Sequence, residues 1–446
     1  MNVLDKTYYY FIGAGGIGMS ALARYFNANE KQVLGYDKTP TELTNQLEQE
    51  GIILHFEDSV AHIPNHLTTE NTLVVYTPAV PQSHSEYQYF LEHGYCIMKR
   101  SEVLGEITKN SYGIAVAGTH GKTTTSSILG HILYKSGLES TAFLGGVLEN
   151  YNSNIIIGGN KFTVSEADEF DRSFLRLSPK IAIITSMDAD HLDIYGDNAT
   201  FEQTFIEFSK KVTDKLFVRQ GLPIENASTY GVESGADFDA VNVRIREGIY
   251  HFDLNTPEGI ITDFELKLPG IHNVENATSA IAVALYLGVS ENKIKLVLKE
   301  FLGVKRRFNR WDINEKVYID DYAHHPTELN AVIQSVKAMF PGKKVLGVFQ
   351  PHLYSRTKDF EVGFAESLSR FDELILLDIY PARELPIEGV TSEVLLEKIK
   401  LENKEVSTLA NALNQIKSKE FDVLVTVGAG NIDTLVKPIK NWLDEN

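Results

Sequence analysis

The chain has 446 residues, with 42 Lys and Arg against 60 Asp and Glu, and a formal net charge of -18. Such an acidic protein has no overall positive field to attract nucleic acid or anionic lipid, so we expect neither as a partner. Any phosphate must then be bound by groups close to it rather than by the overall charge of the protein. The single cysteine, Cys96, excludes an internal disulfide. No apolar run reaches the ~18 residues that cross a bilayer, and no secretory leader is apparent, so we expect a cytoplasmic protein without membrane insertion.

The first hundred residues alternate between strand and helix patterns. TYYYFIGAGG is followed by GMSALARYFNAN and QVLGYD, which predicts a βαβ unit, and TLVVYTPAV and YCIMK predict further strands. The polar sequence KNSY then precedes a new apolar strand, GIAVAG. A length of ~150 residues per domain indicates about three domains, and we place the first boundary after residue 108.

A GxGxxG pattern, formed by Gly13, Gly15 and Gly18, follows the first predicted strand. This spacing is typical of a tight turn that holds a diphosphate at a helix N-terminus. Asp37 lies close to the distance at which dinucleotide-binding folds place a ribose-binding acid. Taken alone, the pattern indicates a nicotinamide-dependent oxidoreductase.

A second phosphate loop is predicted where GIAVAG meets the next helix. A strict P-loop pattern would require glycine at the position of Val116, so the match is incomplete. Small residues can nevertheless close backbone N–H groups around a phosphate, lysine supplies a charge, and a threonine hydroxyl can bind Mg²⁺. The predicted ATP-binding loop comprises Gly118, Thr119, His120, Gly121, Lys122, Thr123 and Thr124.

Two acidic clusters follow later strands of the same segment. The first cluster, SEADEFD, contains Glu166, Asp168, Glu169 and Asp171. The second cluster, DADHLD, contains Asp188, Asp190, His191 and Asp193. Carboxylates at the ends of parallel strands lie where open α/β sheets place ligands, and they are hard ligands of the kind that Mg²⁺ prefers. Zinc is disfavoured, because few His or Cys residues are close by.

The remaining chain divides into an irregular stretch and a third α/β segment. Residues 226–269 are polar and charged and predict a less regular region, whereas HNVENATSAIAVALYLG predicts a helix. Strands are predicted at VYIDDYAHHP, KKVLGVFQPH, DELILLDIYP and DVLVTVGAGN. Each is followed by a turn and a helical pattern, which indicates a parallel sheet with right-handed crossovers.

Taken together, seven motifs resemble the Mur ligases of bacterial peptidoglycan synthesis: GTHGKTTT, EADEFDRSF, DADHLD, GIHNVENA, GVKRRF, DDYAHHPTE and FQPHLYSRT. The resemblance implies an α/β fold of three domains. These are a Rossmann-like UDP-sugar-binding domain (1–108), a central P-loop-like ATP-binding domain with a parallel sheet (109–309), and a C-terminal Rossmann-like domain that binds the amino acid and closes the site (310–446). It also implies ATP-dependent addition of L-alanine to the carboxylate of UDP-N-acetylmuramate through an acyl phosphate, with two Mg²⁺, by a monomer or weak homodimer.

The resemblance implies a role for individual residues. The catalytic residues would be Lys122, His191 and Arg307, and the metal ligands would be Thr123, Glu166 and His191. The UDP-sugar would be bound by Gly15, Gly16, Gly18, Met19 and Asp37. ATP would be bound by the loop together with His272, Asn276, Arg307 and Asp321, and the amino acid by Tyr322, His352 and Arg356.

The sequence departs from the family pattern at two places. Leu353 stands where an arginine often follows the motif histidine, which removes one cation from the expected alanine site. Several Mur ligases hold a metal with a carbamylated lysine in the helix after the DH motif. Here that helix, FEQTFIEFSKK, has lysines only at its end, so we expect no such modification. Three alternatives stay open: a recycling ligase that joins a tripeptide to UDP-N-acetylmuramate, an NAD-dependent oxidoreductase, and a non-catalytic nucleotide sensor.

Overall fold

A computed structural model describes residues 4–188, 195, 197–382 and 384–445. These residues form two compact units. The first lies within residues 1–244, 251–266 and 274–302, and the second within 245–250, 267–273 and 303–446. No helix in the described part of the chain combines the length and the apolar character needed to span a bilayer.

Helices and strands alternate along most of the chain. The helices are α1 (Ile17–Ala28), α2 (Glu42–Gln49), α3 (Ser85–Glu92), α4 (Arg100–Lys109), α5 (Lys122–Lys135), α6 (Asn198–Ser209), α7 (Ile271–Tyr286), α8 (Glu291–Glu300), α9 (Pro326–Met339), α10 (Tyr354–Asp359), α11 (Glu361–Leu368), α12 (Ser392–Lys398), α13 (Leu409–Lys417) and α14 (Val436–Glu445). The strands are β1 (Tyr8–Ile12), β2 (Gln32–Tyr36), β3 (Ile53–His55), β4 (Thr72–Tyr76), β5 (Cys96–Lys99), β6 (Tyr112–Ala117), β7 (Ser140–Leu148), β8 (Ser153–Ile157), β9 (Phe162–Ala167), β10 (Ile181–Ile184), β11 (Lys215–Arg219), β12 (Ser228–Val232), β13 (Phe238–Arg246), β14 (Ile249–Thr256), β15 (Gly259–Leu266), β16 (Asn309–Ile313), β17 (Lys316–Asp321), β18 (Val345–Phe349), β19 (Glu373–Leu377), β20 (Lys404–Ser407) and β21 (Val423–Val427).

The N-terminal sheet has five parallel strands in the order β3-β2-β1-β4-β5. The central strand β1 is almost entirely apolar, and Tyr9, Tyr10, Phe11 and Ile12 are all fully buried. A strand that is buried on both faces reads as a continuous apolar run, which is why YYYFI was recognisable in the sequence. The Rossmann-like βαβ prediction is therefore confirmed.

The second sheet has ten strands in the order β15-β14-β13-β12-β11-β10-β6-β9-β7-β8. Parallel pairing joins β6 to both β9 and β10, so the ends of these three strands lie side by side. The expectation of a less regular region over 226–269 is wrong, because β12 to β15 lie within it. In β14 the buried side chains Tyr250, Phe252 and Leu254 alternate with His251 and Asp253, which is the period-2 pattern of a strand, but the polar and charged composition of the whole stretch masked it.

The sheet of the second unit has six strands in the order β16-β17-β21-β18-β19-β20. The predicted parallel core is present, since β17, β18, β19 and β21 pair in parallel. Strand β16 adds an antiparallel hairpin to β17, and β20 forms the opposite edge. Parallel pairing places the carboxyl ends of β17, β18 and β21 at one edge of the sheet.

Helix α1 belongs to the N-terminal sheet but packs on β7 and β8 of the second sheet. One apolar cluster is continuous across both, joining Phe26 to Phe143 and Ile155. A buried polar contact reinforces it: Arg24 Nη1 donates to Asn154 Oδ1 at 2.6 Å, and Asn154 Nδ2 donates to Ser20 Oγ at 2.8 Å. The first two sequence segments thus share a core.

Candidate active site

The predicted phosphate loop connects β6 to α5 and is held against the end of β10. Gly118 has a φ of +135°, and a Cβ there would lie 2.1 Å from Thr185 Oγ1, so only glycine fits. Thr119 Oγ1 donates to the carbonyl of Asp188 at 2.7 Å, and the His120 N–H donates to Ser186 Oγ at 2.8 Å. The loop is therefore fixed by its neighbours before any ligand binds.

Asn276, predicted to bind ATP, packs behind this loop. A Cβ on Gly121 would lie 2.6 Å from Asn276 Oδ1, and Thr125 Oγ1 lies 3.3 Å from the same oxygen. Gly121 caps α5 without a side-chain hydrogen bond to the first-turn N–H groups. An uncapped helix N-terminus of this kind can bind an anion through its backbone N–H groups and the helix dipole.

Lys122 forms a buried ion pair with Glu169. Lys122 Nζ lies 2.9 and 2.8 Å from the two carboxylate oxygens, and Glu169 is only 2% exposed. Burial alone would lower the pKa of Lys122, but the surrounding carboxylates, Glu169 foremost, outweigh it and raise that pKa above its ordinary value. The lysine therefore stays charged, as a phosphate-binding group must.

The two predicted magnesium ligands on described residues lie together. Thr123 Oγ1 donates to Glu166 Oε2 at 3.1 Å, and the Gly145 N–H donates to Glu166 Oε1 at 2.5 Å. Ser126 Oγ lies 3.3 Å from the same carboxylate. One hydroxyl and one carboxylate beside a phosphate loop fit Mg²⁺, which takes few protein oxygens and completes its shell with phosphate and water.

His191, predicted as a catalytic residue and a metal ligand, lies outside the described residues, as does Asp190. Within the described ranges, no group of three or more His, Cys, Asp or Glu side chains could hold a metal ion.

The glycine turn of the N-terminal sheet carries its own acid. The Gly15 N–H donates to Asp37 Oδ2 at 2.6 Å, so Asp37 stabilises the turn itself. Met19 is 2% exposed and packs in the core, which leaves its backbone as the part able to face a ligand. A cavity of about 300 Å³ is lined by Gly18 and Arg100, and also by Lys122 and Glu166 of the phosphate site.

In the second unit, two adjacent arginines have different surroundings. Arg306 Nε donates to Asp320 Oδ2 at 3.2 Å, and its Nη2 donates to the carbonyl of Gly428 at 2.6 Å. The Arg307 guanidinium makes no hydrogen bond or ion pair to any described residue and lies 5.4 Å from the centre of the Tyr322 ring. Arg306 is thus a structural anchor, whereas Arg307 is available to a ligand.

His272 and Asp321, both predicted to bind ATP, are buried groups of the second unit. Burial, with a smaller contribution from Arg307, lowers the pKa of His272 to about 4, so this imidazole is neutral near pH 7. Burial raises the pKa of Asp321 to about 6, although Arg307 opposes the shift. Asp321 Oδ2 accepts from the Phe308 N–H at 2.7 Å, which ties the segment after Arg307 to the end of β17.

The three predicted amino-acid-binding residues gather around His324. The His324 ring lies 5.3 Å from Tyr322 and 6.0 Å from His352, and the charge of Arg356 acts on both histidines. Burial, aided by His324 and Arg356, lowers the pKa of His352 to about 4. Leu353 has a φ of +71°, a strained conformation for a side chain of its size, at the start of the helix that carries Arg356.

The structure places at the site three residues to which the sequence had assigned no individual role. Glu169 and Gly145 hold Lys122 and Glu166, and Arg100 lines the cavity. The only available signal for Glu169 was its place in the acidic cluster. Nothing local marks Gly145 or Arg100, because their roles depend on contacts with distant segments.

Three family models match successive parts of the chain. The model described as Mur ligase family, catalytic domain matches residues 8–112, the Mur ligase middle domain matches 116–284, and the Mur ligase, glutamate ligase domain matches 306–430. The three matches follow one another in the order of the three segments that the sequence predicted.

Curated relatives are similar over their full lengths. A UDP-N-acetylmuramate–L-alanine ligase of Flavobacterium johnsoniae is 55% identical over 449 residues, covering 100% of both chains. Another, of Cytophaga hutchinsonii, is 49% identical and covers 99% of this chain and 97% of the relative.

Solved structures show the same architecture. The UDP-N-acetylmuramate-alanine ligase of Thermotoga maritima matches with a TM-score of 0.85 and 27% identity, covering 98% of this chain and 99% of that one. A murein peptide ligase of Psychrobacter arcticus matches with a TM-score of 0.71 at 23% identity, which supports the fold alone. With family models along most of its length and relatives about half identical to it from end to end, the chain belongs to the Mur ligase family.

Proposed function

We propose that this protein is an ATP-dependent ligase that joins L-alanine to the carboxylate of UDP-N-acetylmuramate in the synthesis of peptidoglycan precursors. One observation carries the proposal. The cavity beside the glycine turn is also lined by Lys122 and Glu166, so a substrate bound at the turn can reach the phosphate site. Curated relatives that share about half of this sequence carry the name of the same reaction.

In the proposed reaction, the substrate carboxylate attacks the γ-phosphorus of ATP to give an acyl phosphate and ADP. The amine of L-alanine then attacks the acyl carbon and releases phosphate. Such phosphoryl transfer depends on positioning and charge neutralisation more than on covalent help from the protein. Lys122 and Arg307 would supply fixed positive charge to the transferring group, and no side-chain nucleophile is required.

Magnesium ions, when bound, would neutralise and orient the phosphate oxygens. Thr123 and Glu166 would hold one of two Mg²⁺, and His191 would help to hold the second. The loop from Gly118 to Thr124, together with His272, Asn276 and Asp321, would bind ATP. The UDP-sugar would be bound by Gly15, Gly16, Gly18, Met19 and Asp37. L-Alanine would be bound by Tyr322, His352 and Arg356.

In this proposal the chain is divided into three domains, 1–108, 109–309 and 310–446, and the third domain binds the amino acid. It also includes action in the cytoplasm, where ATP and nucleotide sugars are available, as a monomer or weak homodimer. The NAD-dependent alternative accounts for the glycine turn but leaves Lys122, Thr123 and Glu166 without a role. The tripeptide ligase is not favoured, since the relatives at 49–55% identity are named for L-alanine.

The test is phosphate release from ATP and Mg²⁺ in the presence of UDP-N-acetylmuramate, with and without L-alanine. We expect release that depends on both substrates. A protein that releases phosphate equally without L-alanine, or only with the tripeptide, would contradict the proposal. Lys122→Ala should abolish turnover while UDP-N-acetylmuramate still binds, because the lysine is assigned to ATP and the glycine turn to the sugar nucleotide.

A further inference from the structure

Arg100, the first residue of α4, lies across the first turn of α1. A Cβ on Gly18 would lie 2.9 Å from Arg100 Cδ, 3.1 Å from Nη1 and 3.2 Å from Nε. The guanidinium therefore rests on bare backbone, and any side chain at position 18 would displace it. The last glycine of the GxGxxG pattern thus admits an arginine to the turn that is proposed to hold the diphosphate.

Arg100 is half-buried, and its guanidinium makes no hydrogen bond or ion pair to any residue that the structure describes. Two other arginines of this unit form ion pairs: Arg24 with Glu50 at 2.7 Å, and Arg176 with Glu102 of α4 at 2.6 Å. Arginine cannot escape the cost of partial burial by losing its proton, so it requires an anion or polar acceptors. The Arg100 guanidinium is thus available to an anionic ligand in the adjoining cavity.

The cavity shows which ligand can supply that anion. Gly18 and Arg100 line it together with Lys122 and Glu166, so it connects the glycine turn with the phosphate site. A diphosphate at the N-terminus of α1 would accept hydrogen bonds from backbone N–H groups, and the positive end of the helix dipole would stabilise its charge. The planar guanidinium beside it can donate two parallel hydrogen bonds to phosphate oxygens.

We propose that Arg100 binds the diphosphate of the nucleotide sugar and is a substrate-binding residue of this enzyme. The inference rests on the proposed function and adds to it a residue that none of the predicted motifs contains. It also distinguishes two anions of the substrate: Arg100 binds the diphosphate, and the sugar carboxylate is left to the phosphate site.

Calorimetric binding to the full-length protein tests this assignment with Arg100→Gln and, as a matched control, Arg176→Gln. The three ligands are UDP, UDP-N-acetylmuramate and a nonhydrolysable ATP analogue. Loss of a charge-assisted bidentate contact should weaken UDP and UDP-N-acetylmuramate by the same factor, about 10- to 100-fold. ATP-analogue binding should not change, Arg100→Lys should lose less affinity, and Arg176→Gln should bind all three ligands like the wild type.

Gly18→Ala provides a second, independent arm. If its effect arises by displacing Arg100, it should weaken UDP binding strongly in the wild type but little in an Arg100→Gln background.

Four results would overturn the inference: unchanged UDP affinity in Arg100→Gln, a loss limited to UDP-N-acetylmuramate, a parallel loss of ATP-analogue binding, or additive effects of the two substitutions. If wild-type protein bound neither UDP nor UDP-N-acetylmuramate, the proposed function would fail together with the inference. Normal wild-type binding with an unaffected Arg100→Gln would refute the inference alone.

Discussion

Lys122 Nζ lies 2.8 Å from Glu169 Oε2, in an ion pair whose acidic member is 2% exposed. Glu169→Gln leaves the lysine charge without its main partner in a largely dry site. We expect unfolding free energy to fall by about 3 kcal/mol, because an unpaired buried charge costs more than the pair contributes. Denaturant unfolding measures the change. The double variant Glu169→Gln/Lys122→Met should lose less unfolding free energy than the two single variants lose together. Strict additivity would contradict a coupled pair.

The hydroxyl of Thr123 is expected to bind Mg²⁺ rather than only to close the loop. Thr123→Val keeps the shape but removes the oxygen that donates to Glu166 at 3.1 Å. The Mg²⁺ concentration for half-maximal ligase activity should rise about tenfold or more, whereas Thr123→Ser should remain near the wild type. Equal Mg²⁺ requirements in the valine and serine variants would refute the assignment.

The two neighbouring arginines should separate stability from catalysis. Arg306→Ala removes the partner of Asp320, which is 1% exposed, and should reduce unfolding free energy by about 3 kcal/mol. Arg307→Ala breaks no hydrogen bond to a described residue and should leave stability nearly unchanged, but it should lower kcat by at least about 100-fold. Thermal unfolding and steady-state kinetics on both variants decide the point. A stable, active Arg307→Ala enzyme would contradict the catalytic role.

The buried Glu86 of α3 should make stability depend on pH. Tyr10 donates its hydroxyl to Glu86 Oε2 at 2.8 Å, and burial raises the pKa of Glu86 to about 7 from an ordinary value of 4.5. The folded state then holds a proton that the unfolded state releases. The contribution of this group to stability is fully present below pH 4.5 and is lost as the pH rises through 7.

Glu86→Gln should remove this dependence. The unfolding free energy of Glu86→Gln minus that of the wild type should be up to about 3 kcal/mol larger at pH 8 than at pH 4. This figure follows from the pKa shift of Glu86 at about 1.4 kcal/mol per pKa unit. Denaturant unfolding at both values measures the difference. A constant difference across the range would show that Glu86 ionises normally.

The sequence predicts most of the buried strands and the helices next to them. Strands such as β6 and β18 are continuous apolar runs with all or nearly all residues buried, and Gly, Pro or polar turns mark their ends. The resemblance to Mur ligases is confirmed by full-length relatives. The strands β12 to β15 and the edge strands β16 and β20 were not recognised, because their many polar and charged residues resemble those of loops.

The phosphate loop could be predicted as a local sequence, but its surroundings could not. The resemblance to Mur ligases implied that Thr123 and Glu166 lie together, whereas the buried partner of Lys122 and the arginine against Gly18 are long-range contacts that it did not imply. Sequence also could not separate Arg306 from Arg307. The contacts of the two guanidinium groups separate them: Arg306 binds Asp320 of β17 and the carbonyl of Gly428 after β21, whereas Arg307, among the described residues, makes only a ring contact with Tyr322.

The shared core of α1 with β7 and β8 bears on how this enzyme can be dissected. An isolated fragment ending near residue 110 would expose Phe26 to water and leave Arg24 without Asn154. Such a fragment would be prone to aggregate, even though its sheet is complete. The N-terminal sheet is therefore not an independent folding unit, and the sugar-nucleotide binding proposed for it is best measured in a protein that retains β7 and β8.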